Sequence, residues 1–248
     1  MANRRQDIDR LLNQWPFEPG EVTARIVEAT GDREVLQMRV EMGVLQMEIT
    51  GRPDGTKPHG SESYLDYLIH QTLYEDDDFQ LSEEQCGEVD REFVLYYHRR
   101  ICWLALRRFA DAAADADHTL ALMDLSRRYS HDESWSVSHE QYRPFVLFHR
   151  VQAAALAKLE DDGPDNAISE INEGLEMFRA MFAEYEAEER FEGDELVTRL
   201  VELRESLRDH YTVGRTLDEQ LTDAVASEQY ELAAQIRDRI SKRDDPQI

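Results

Sequence analysis

The 248-residue chain has only two cysteines, Cys86 and Cys102, sixteen positions apart and with no CxxC pair. That arrangement suggests neither a disulfide framework nor a thiolate zinc site, and it points to a reducing cytoplasm. Long apolar runs are missing as well. Nothing approaches the roughly 18 residues of a membrane span, and the opening Met1-Ala-Asn-Arg-Arg-Gln-Asp-Ile-Asp-Arg10 lacks the apolar centre of a secretory signal. A soluble, unprocessed, cytoplasmic chain is expected. Positive charge is scarce: 28 Lys plus Arg stand against 53 Asp plus Glu, a net −25. Such a chain repels phosphate backbones and anionic lipid, which disfavours binding of nucleic acid or membrane by the surface as a whole. With 9% aromatic, 41% hydrophobic and 33% charged residues, the composition fits a helix-rich protein with a heavily solvated surface. A chain this long buries roughly 70–75% of its unfolded surface, so stability requires neither metal nor disulfide, and no cofactor is expected.

The first sixty residues differ from the rest. A short amphipathic segment (Ile8, Leu11, Leu12, Trp15) opens them, and they contain the clearest strand signals. Val35-Leu-Gln-Met38 recurs as Val44-Leu-Gln-Met47. Leu36, Met38 and Val40 alternate with polar residues, as do Leu45, Met47 and Ile49, so each copy presents one apolar face at period two. The Glu41-Met42-Gly43 connection makes the two copies a hairpin. Residues 51–60, rich in Gly and Pro, read as a loop that closes a small unit over 1–60.

From Ser61 the period turns helical, through Tyr64, Leu65, Leu68 and Ile69, and pauses at the acidic residues 75–78. Ser82 with Gln85 offers a capping box. Helical spacing puts Val94, Tyr97, Ile101 and Leu104 on one face, and Ala113, Ala116, Leu120 and Met123 on one face of a second helix after Phe109. A third helix is expected to start near Pro144, and a fourth carries Ile168, Ile171, Leu175, Phe178 and Phe182. These two pairs resemble degenerate tetratricopeptide repeats: small residues near a helix crossing, an aromatic at the turn (Phe109), and alanines in the second helix (Ala112, Ala116). A further helix with Leu196, Leu200, Leu203 and Leu207 forms a short coiled-coil-like seam, expected to pack on the preceding helices and to end at Gly214. The helical middle thus spans 61–213.

Residues 214–248 carry the most informative pattern. Thr216-Leu-Asp-Glu219 is a capping box. Leu217, Leu221 and Val225 form one stripe at i, i+4, i+8, and after a turn at residues 227–229 a second arm carries Tyr230, Ala233, Ala234, Arg237 and Ile240 at helical spacing. A hairpin this short cannot bury both stripes alone, so it needs a partner surface. Ala233 and Ala234 allow close helix approach, and Arg237 with Asp238 supplies a polar register. The sequence Leu217…Leu221…Ala224-Val225…Tyr230…Ala233-Ala234-Gln-Ile236-Arg237-Asp238-Arg-Ile240 resembles the UVR motif, the helical hairpin shared by the excision-repair proteins UvrB and UvrC and by some Clp-type unfoldases and their adaptors. In that family the hairpin packs on a second hairpin as a small four-helix assembly. The resemblance implies that Leu217, Leu221, Ala224, Val225, Tyr230, Ala233, Ala234, Arg237, Asp238 and Ile240 make the contact. One residue departs from the pattern: Gln229 stands where the family has a capping Asp or Asn, which predicts a second arm that frays until bound. The hairpin alternatively docks on the chain's own 196–207 helix.

Candidate chemistry elsewhere is sparse. Asp111, Asp115 and His118 fall at i, i+4, i+7 on one helical face and offer ligand types for a divalent metal, as in a metal-binding helical enzyme. In so acidic a chain a solvated face is the ordinary alternative. His98, Arg99, Arg100, Arg107 and Arg108 form a basic stripe suited to an acidic peptide or phosphate, or to pairing with the chain's own carboxylates. Cys102 beside Trp103 reads as buried rather than activated. No GxSxG, HExxH, Walker loop or GxGxxG occurs. The basic terminal arm (Arg237, Arg239, Lys242, Arg243) suggests a DNA-associated repair accessory, but Asp238, Asp244 and Asp245 interrupt it.

The sequence therefore predicts a mostly α protein: a small N-terminal β-hairpin unit, a tetratricopeptide-like helical array, and a C-terminal UVR helical hairpin. The expected role is a non-enzymatic adaptor that recruits a protein partner or a second copy of itself, linked to nucleotide excision repair or to a Clp-type protease system.

Overall fold

The structure, a computed structural model, describes residues 7–74 and 79–244. The acidic run 75–78 and Asp245 lie outside the described residues, as do the side chains of Lys242, Arg243 and Asp244. Ten α-helices and one three-stranded antiparallel sheet occur among the described residues, in the order α1 (Asp9–Gln14), β1 (Ala24–Ala29), β2 (Arg33–Val40), β3 (Gly43–Glu48), α2 (Tyr64–Tyr74), α3 (Glu83–Ala105), α4 (Phe109–Tyr129), α5 (Glu133–Glu140), α6 (Arg143–Asp161), α7 (Pro164–Glu184), α8 (Glu195–Tyr211), α9 (Leu217–Ala226) and α10 (Tyr230–Asp244). The chain divides into two compact units, Met1–Ala153 and Ala154–Ile248. These fall at a different place from the composition-based divisions at 60/61 and 213/214.

In the first unit the two recurring segments pair as expected. Leu36 stands opposite Met47 and Met38 opposite Leu45, with Glu41 and Met42 as the two-residue connection. A third strand, β1, pairs with β2 on its other side, Ile26 opposite Leu36. The sheet's apolar face (Ile26, Leu36, Met38, Met47, Ile49) packs with Cys102 and Trp103 of α3, Ala112 of α4 and Ala153 of α6. The alternation thus selects which face meets the helices. A second cluster joins α2 (Tyr64, Leu65, Leu68) to Leu81, Val89, Leu122 and Leu125. The capping box at the start of α3 forms as read: Ser82 Oγ accepts from the Gln85 N–H at 3.3 Å, and Gln85 Oε1 accepts from the Ser82 N–H at 2.9 Å.

The helix at α3 is as expected, but the buried face is not. Val94 and Tyr97 are exposed, and Ile101 and Leu104 only partly covered, while Val89, Glu92, Tyr96, Arg99, Arg100, Cys102 and Trp103 are buried. Glu92 and Arg99 occupy the interior with charged partners, His118 and Asp115, and apolar periodicity cannot register such pairs.

In the second unit, Gly163 (φ 89) turns the chain into Pro164, whose fixed φ suits a first helical turn. Ile168, Ile171, Leu175, Phe178 and Phe182 are all buried, the face read from the sequence. α7 packs on α8, where Leu200 and Leu207 of the leucine seam are buried, together with Val197. Asp194 caps α8 by accepting from the N–H groups of Leu196 (2.9 Å) and Val197 (3.1 Å). The helix ends earlier than Gly214: Thr212 takes the left-handed conformation (φ 57), and the Val213 N–H donates to the Arg208 carbonyl at 3.1 Å. The stop is set by this local hydrogen bond rather than by the glycine.

Candidate functional site: the C-terminal hairpin

α9 begins where the sequence places it. Thr216 Oγ1 accepts from the Glu219 N–H at 3.3 Å, and Glu219 Oε2 accepts from the Thr216 N–H at 2.8 Å. These bonds satisfy two amide donors that a helix start otherwise leaves open. The first arm stops at Ala226. Glu228 lies at φ 57, its N–H donates to the Val225 carbonyl (3.0 Å), and the Gln229 N–H donates to the Ala224 carbonyl (2.7 Å). This is a Schellman closure, and it reverses the chain within the three turn residues 227–229.

The ten residues carried over from the motif separate into two groups. Ala224 and Ala233 are buried, Leu217, Leu221 and Ile240 are partly buried, and these five form the hairpin's own interior together with buried Ile236. Ala234 is half-buried. Val225 (51% exposed), Tyr230 (67%), Arg237 and Asp238 lie outside, joined by exposed Leu232. The paired stripes of the sequence therefore serve first to close the two arms on each other. Ile236 and Leu232 were not among the residues singled out as contacts. The position of Ile236 three residues after Ala233 and four before Ile240 carries the helical signal that places it with them.

The alternative docking on the chain's own 196–207 helix takes a polar form. Arg208 of α8 pairs with Glu219, the residue that also closes the capping box. Arg204 donates to Asn172 Oδ1 of α7 at 3.0 Å. Burial pushes the Glu219 carboxyl up, but hydrogen bonds from the Thr216 amide, Arg208 and Asn172 hold it below the ordinary range. A groove of about 620 Å³ runs here, lined by Ser169, Asn172, Glu176, Arg204, Glu219 and Asp223 among others. No α8 side chain belongs to the hairpin's apolar cluster.

The face proposed for a metal is dismantled by its neighbours. Asp115 is buried and accepts from Arg99 Nε (2.9 Å) and Nη2 (2.7 Å), a bidentate pair. His118 Nε2 meets Glu92 Oε1 at 2.9 Å and stacks on Tyr96 at a ring separation of 3.6 Å. Asp111 pairs with Arg108 at 2.7 Å. The three therefore face different partners, and among the described residues no His, Cys, Asp and Glu group of three or more is arranged to hold a metal ion. The solvated-face alternative fails for Asp115 as well. Most of the basic stripe is likewise committed: Arg99 also donates to the carbonyls of Gly51 (2.7 Å) and Glu48 (3.1 Å), tying α3 to the end of β3 and the loop after it. Glu92 is fully buried. Burial pushes its carboxyl up, but His118 and the N–H groups of Leu65 and Tyr64 hold it below the usual range. Cys102 is buried, and burial alone pushes its thiol up to about 12, leaving it protonated.

Among the described residues no helix is long and apolar enough to cross a membrane. No curated protein and no solved structure matches the chain. The hairpin itself does find a counterpart: over residues 215–242, 28 of the 248, the chain matches the UVR family model and carries a UvrB/uvrC motif.

Proposed function

We propose that this protein is a non-enzymatic, cytoplasmic adaptor that recruits a protein partner through the α9–α10 hairpin. The observation that carries the reading is the hairpin's imbalance. Three side chains (Ala224, Ala233, Ile236) are buried within it, while Val225, Tyr230 and Leu232 present apolar surface outward beside Arg237 and Asp238. UVR motifs generally mediate protein–protein contacts, and a second hairpin, from another protein or from a second copy in a homodimer, supplies the complementary pair of helices. An exposed aromatic on the same helix as exposed Arg237 is the composition expected of an interface anchor. The process served is excision repair or a Clp-type protease system. The tetratricopeptide-like middle offers a second binding surface, so that the chain joins two partners.

The test is to compare the proteins retained from cell extract by the full chain, by a chain ending at Arg215, and by Tyr230→Asp. The expected result is a partner held by the first and lost from the other two, with both shortened and substituted chains still folded by circular dichroism. An identical set of captured proteins in all three sinks the reading. Sedimentation of the purified chain at rising concentration addresses the homodimer: self-association is expected to vanish with Tyr230→Asp.

A further inference from the structure

The first unit contains an open groove of about 810 Å³ between α3, α4, α5 and the start of α6. Its walls are aromatic and aliphatic: Phe93, Val94 and Tyr97 from α3, Met123 from α4, Trp135 from α5 and Phe145 from α6. Val94, Tyr97, Tyr142 and Phe145 are the exposed large side chains here, and two of them, Val94 and Tyr97, belong to the stripe that helical spacing puts on one face. At the rim, Asp90 Oδ1 already accepts from Trp135 Nε1 (2.9 Å) and meets His139 Nε2 (2.9 Å).

Arg100 also lines this groove, and it is 1% exposed. Its Nη1 donates to Thr119 Oγ1 at 3.0 Å, and its Nε is buried with no hydrogen-bond partner. The neighbouring buried charges cancel in pairs. Arg99 is matched by Asp115, and Arg52 lies 3.0 Å from Glu92. Arg100 is the remainder: among the described residues no carboxylate lies within ion-pair distance of it. A guanidinium kept out of water without a counter-charge carries a large standing cost, and an anion seated against it relieves that cost. Burial pushes the group down to about 10, which leaves it charged at neutral pH.

We infer that this groove binds a small amphiphilic monocarboxylate, an aliphatic or aryl acid, with its carboxylate on the Arg100 guanidinium and its apolar body along Phe93, Val94, Tyr97, Trp135 and Phe145. The volume falls within the range of small-molecule sites, and mainly apolar walls surround one buried cation, with Asp90, Thr119, Ser138, His139 and Gln141 as the other polar lining. A single buried point charge matches a single carboxylate. A peptide backbone requires hydrogen-bonding groups repeated along its path, and the apolar walls contribute few. The net charge of −25 works against multiply charged anions at long range and favours a ligand whose affinity comes mainly from its apolar body. This site stands independently of the hairpin and of the adaptor reading.

Decanoate, decan-1-ol and acetate, titrated into the full chain and followed by tryptophan fluorescence and calorimetry, test the assignment. Decanoate is expected to bind about tenfold tighter than decan-1-ol, the size of one charge-assisted hydrogen bond gained over a neutral one. Acetate, a head without a body, is expected not to bind measurably. Arg100→Gln should bring decanoate down to the level of decan-1-ol. Val94→Glu, at an exposed wall position, should weaken both ligands, and decanoate more than decan-1-ol because the new carboxylate also repels its charge. Equal binding of decanoate and decan-1-ol by the unaltered chain overturns the proposal, as does a decanoate preference that survives Arg100→Gln. A hydrophobic peptide that binds more tightly than decanoate, through a free terminal carboxylate and not as its amide, likewise overturns it in favour of a peptide site.

Discussion

The α3–α4 and α9–α10 hairpins reverse the chain by the same device. In each, a non-glycine residue two positions past the helix end sits in the left-handed region, Arg107 (φ 58) and Glu228 (φ 57). In each, the next amide donates back to the last turn, Arg108 N–H to the Trp103 carbonyl at 2.9 Å and Gln229 N–H to the Ala224 carbonyl at 2.7 Å. In each, an aromatic residue then opens the second helix, Phe109 and Tyr230. Yet Phe109 is 7% exposed and Tyr230 is 67% exposed. The first pair closes over Trp103, Ala112 and Ala116, a bidentate ion pair and the sheet; the second closes over three small or medium side chains. The difference teaches that turn chemistry settles only how a helical hairpin folds back. What fills the space between the arms decides whether it is complete in itself or presents a face to a partner.

The contrast breaks most visibly at Asp115. Asp115→Ala leaves Arg99 buried without its partner and is expected to cost about 3–5 kcal/mol in urea unfolding. Amide exchange in α9–α10 should be unaltered, and equal loosening of both hairpins would erase the distinction. The next largest effect is one of pH. Burial, aided by the Arg100 charge, lowers His149 from 6.5 to about 4. The unfolded chain therefore binds a proton between these values that the folded chain refuses, so stability is full above pH 6.5 and falls as the pH drops towards 4, by about 3 kcal/mol over the window. Glu92, held below its ordinary 4.5, extends the loss further into acid, because a depressed carboxyl contributes above its unfolded pKa and ceases to as the pH falls through the folded one. Urea midpoints at pH 7 and pH 5 should differ for the unaltered chain and converge for His149→Phe. Thr216→Ala removes half of a capping box and should cost about 1 kcal/mol. Its effect should appear as faster exchange confined to α9–α10, with α3–α4 untouched. The smallest change in stability, within about 0.5 kcal/mol, is expected for Tyr230→Ser, which should nevertheless abolish partner capture.

Features that depend on near neighbours in sequence were legible. Both capping boxes, the β2–β3 hairpin, the helix start near Pro144 and the 227–229 turn follow from residues within a few positions of one another. The UvrB/uvrC motif was legible for the same reason, as an ungapped helical hairpin. Strand β1 was missed because Ala24 and Ile26 give only a brief alternation. The signal that locates it is Gly31-Asp32, both at positive φ, turning the chain from β1 into β2. Pairing of the basic stripe with the chain's own carboxylates was a reading of the sequence, but which residues of α3 lie inside was not legible. Arg99 finds Asp115 sixteen residues away, and Glu92 finds His118 twenty-six away, so their burial is decided by contacts that no local window contains. Helical spacing likewise puts Val94 and Tyr97 on one face without deciding that this face lies open.

Glu219 holds two offices, and salt acts on them unequally. Its bond with the Thr216 amide is short-ranged and local, whereas its attraction to Arg208 lies at a partly hydrated surface, where mobile ions weaken it. Raising the ionic strength therefore slackens the hairpin's attachment to α8 while leaving its helices capped. An intact hairpin held to α8 by a salt-sensitive contact is thus expected to be released by electrolyte before it is unfolded by it.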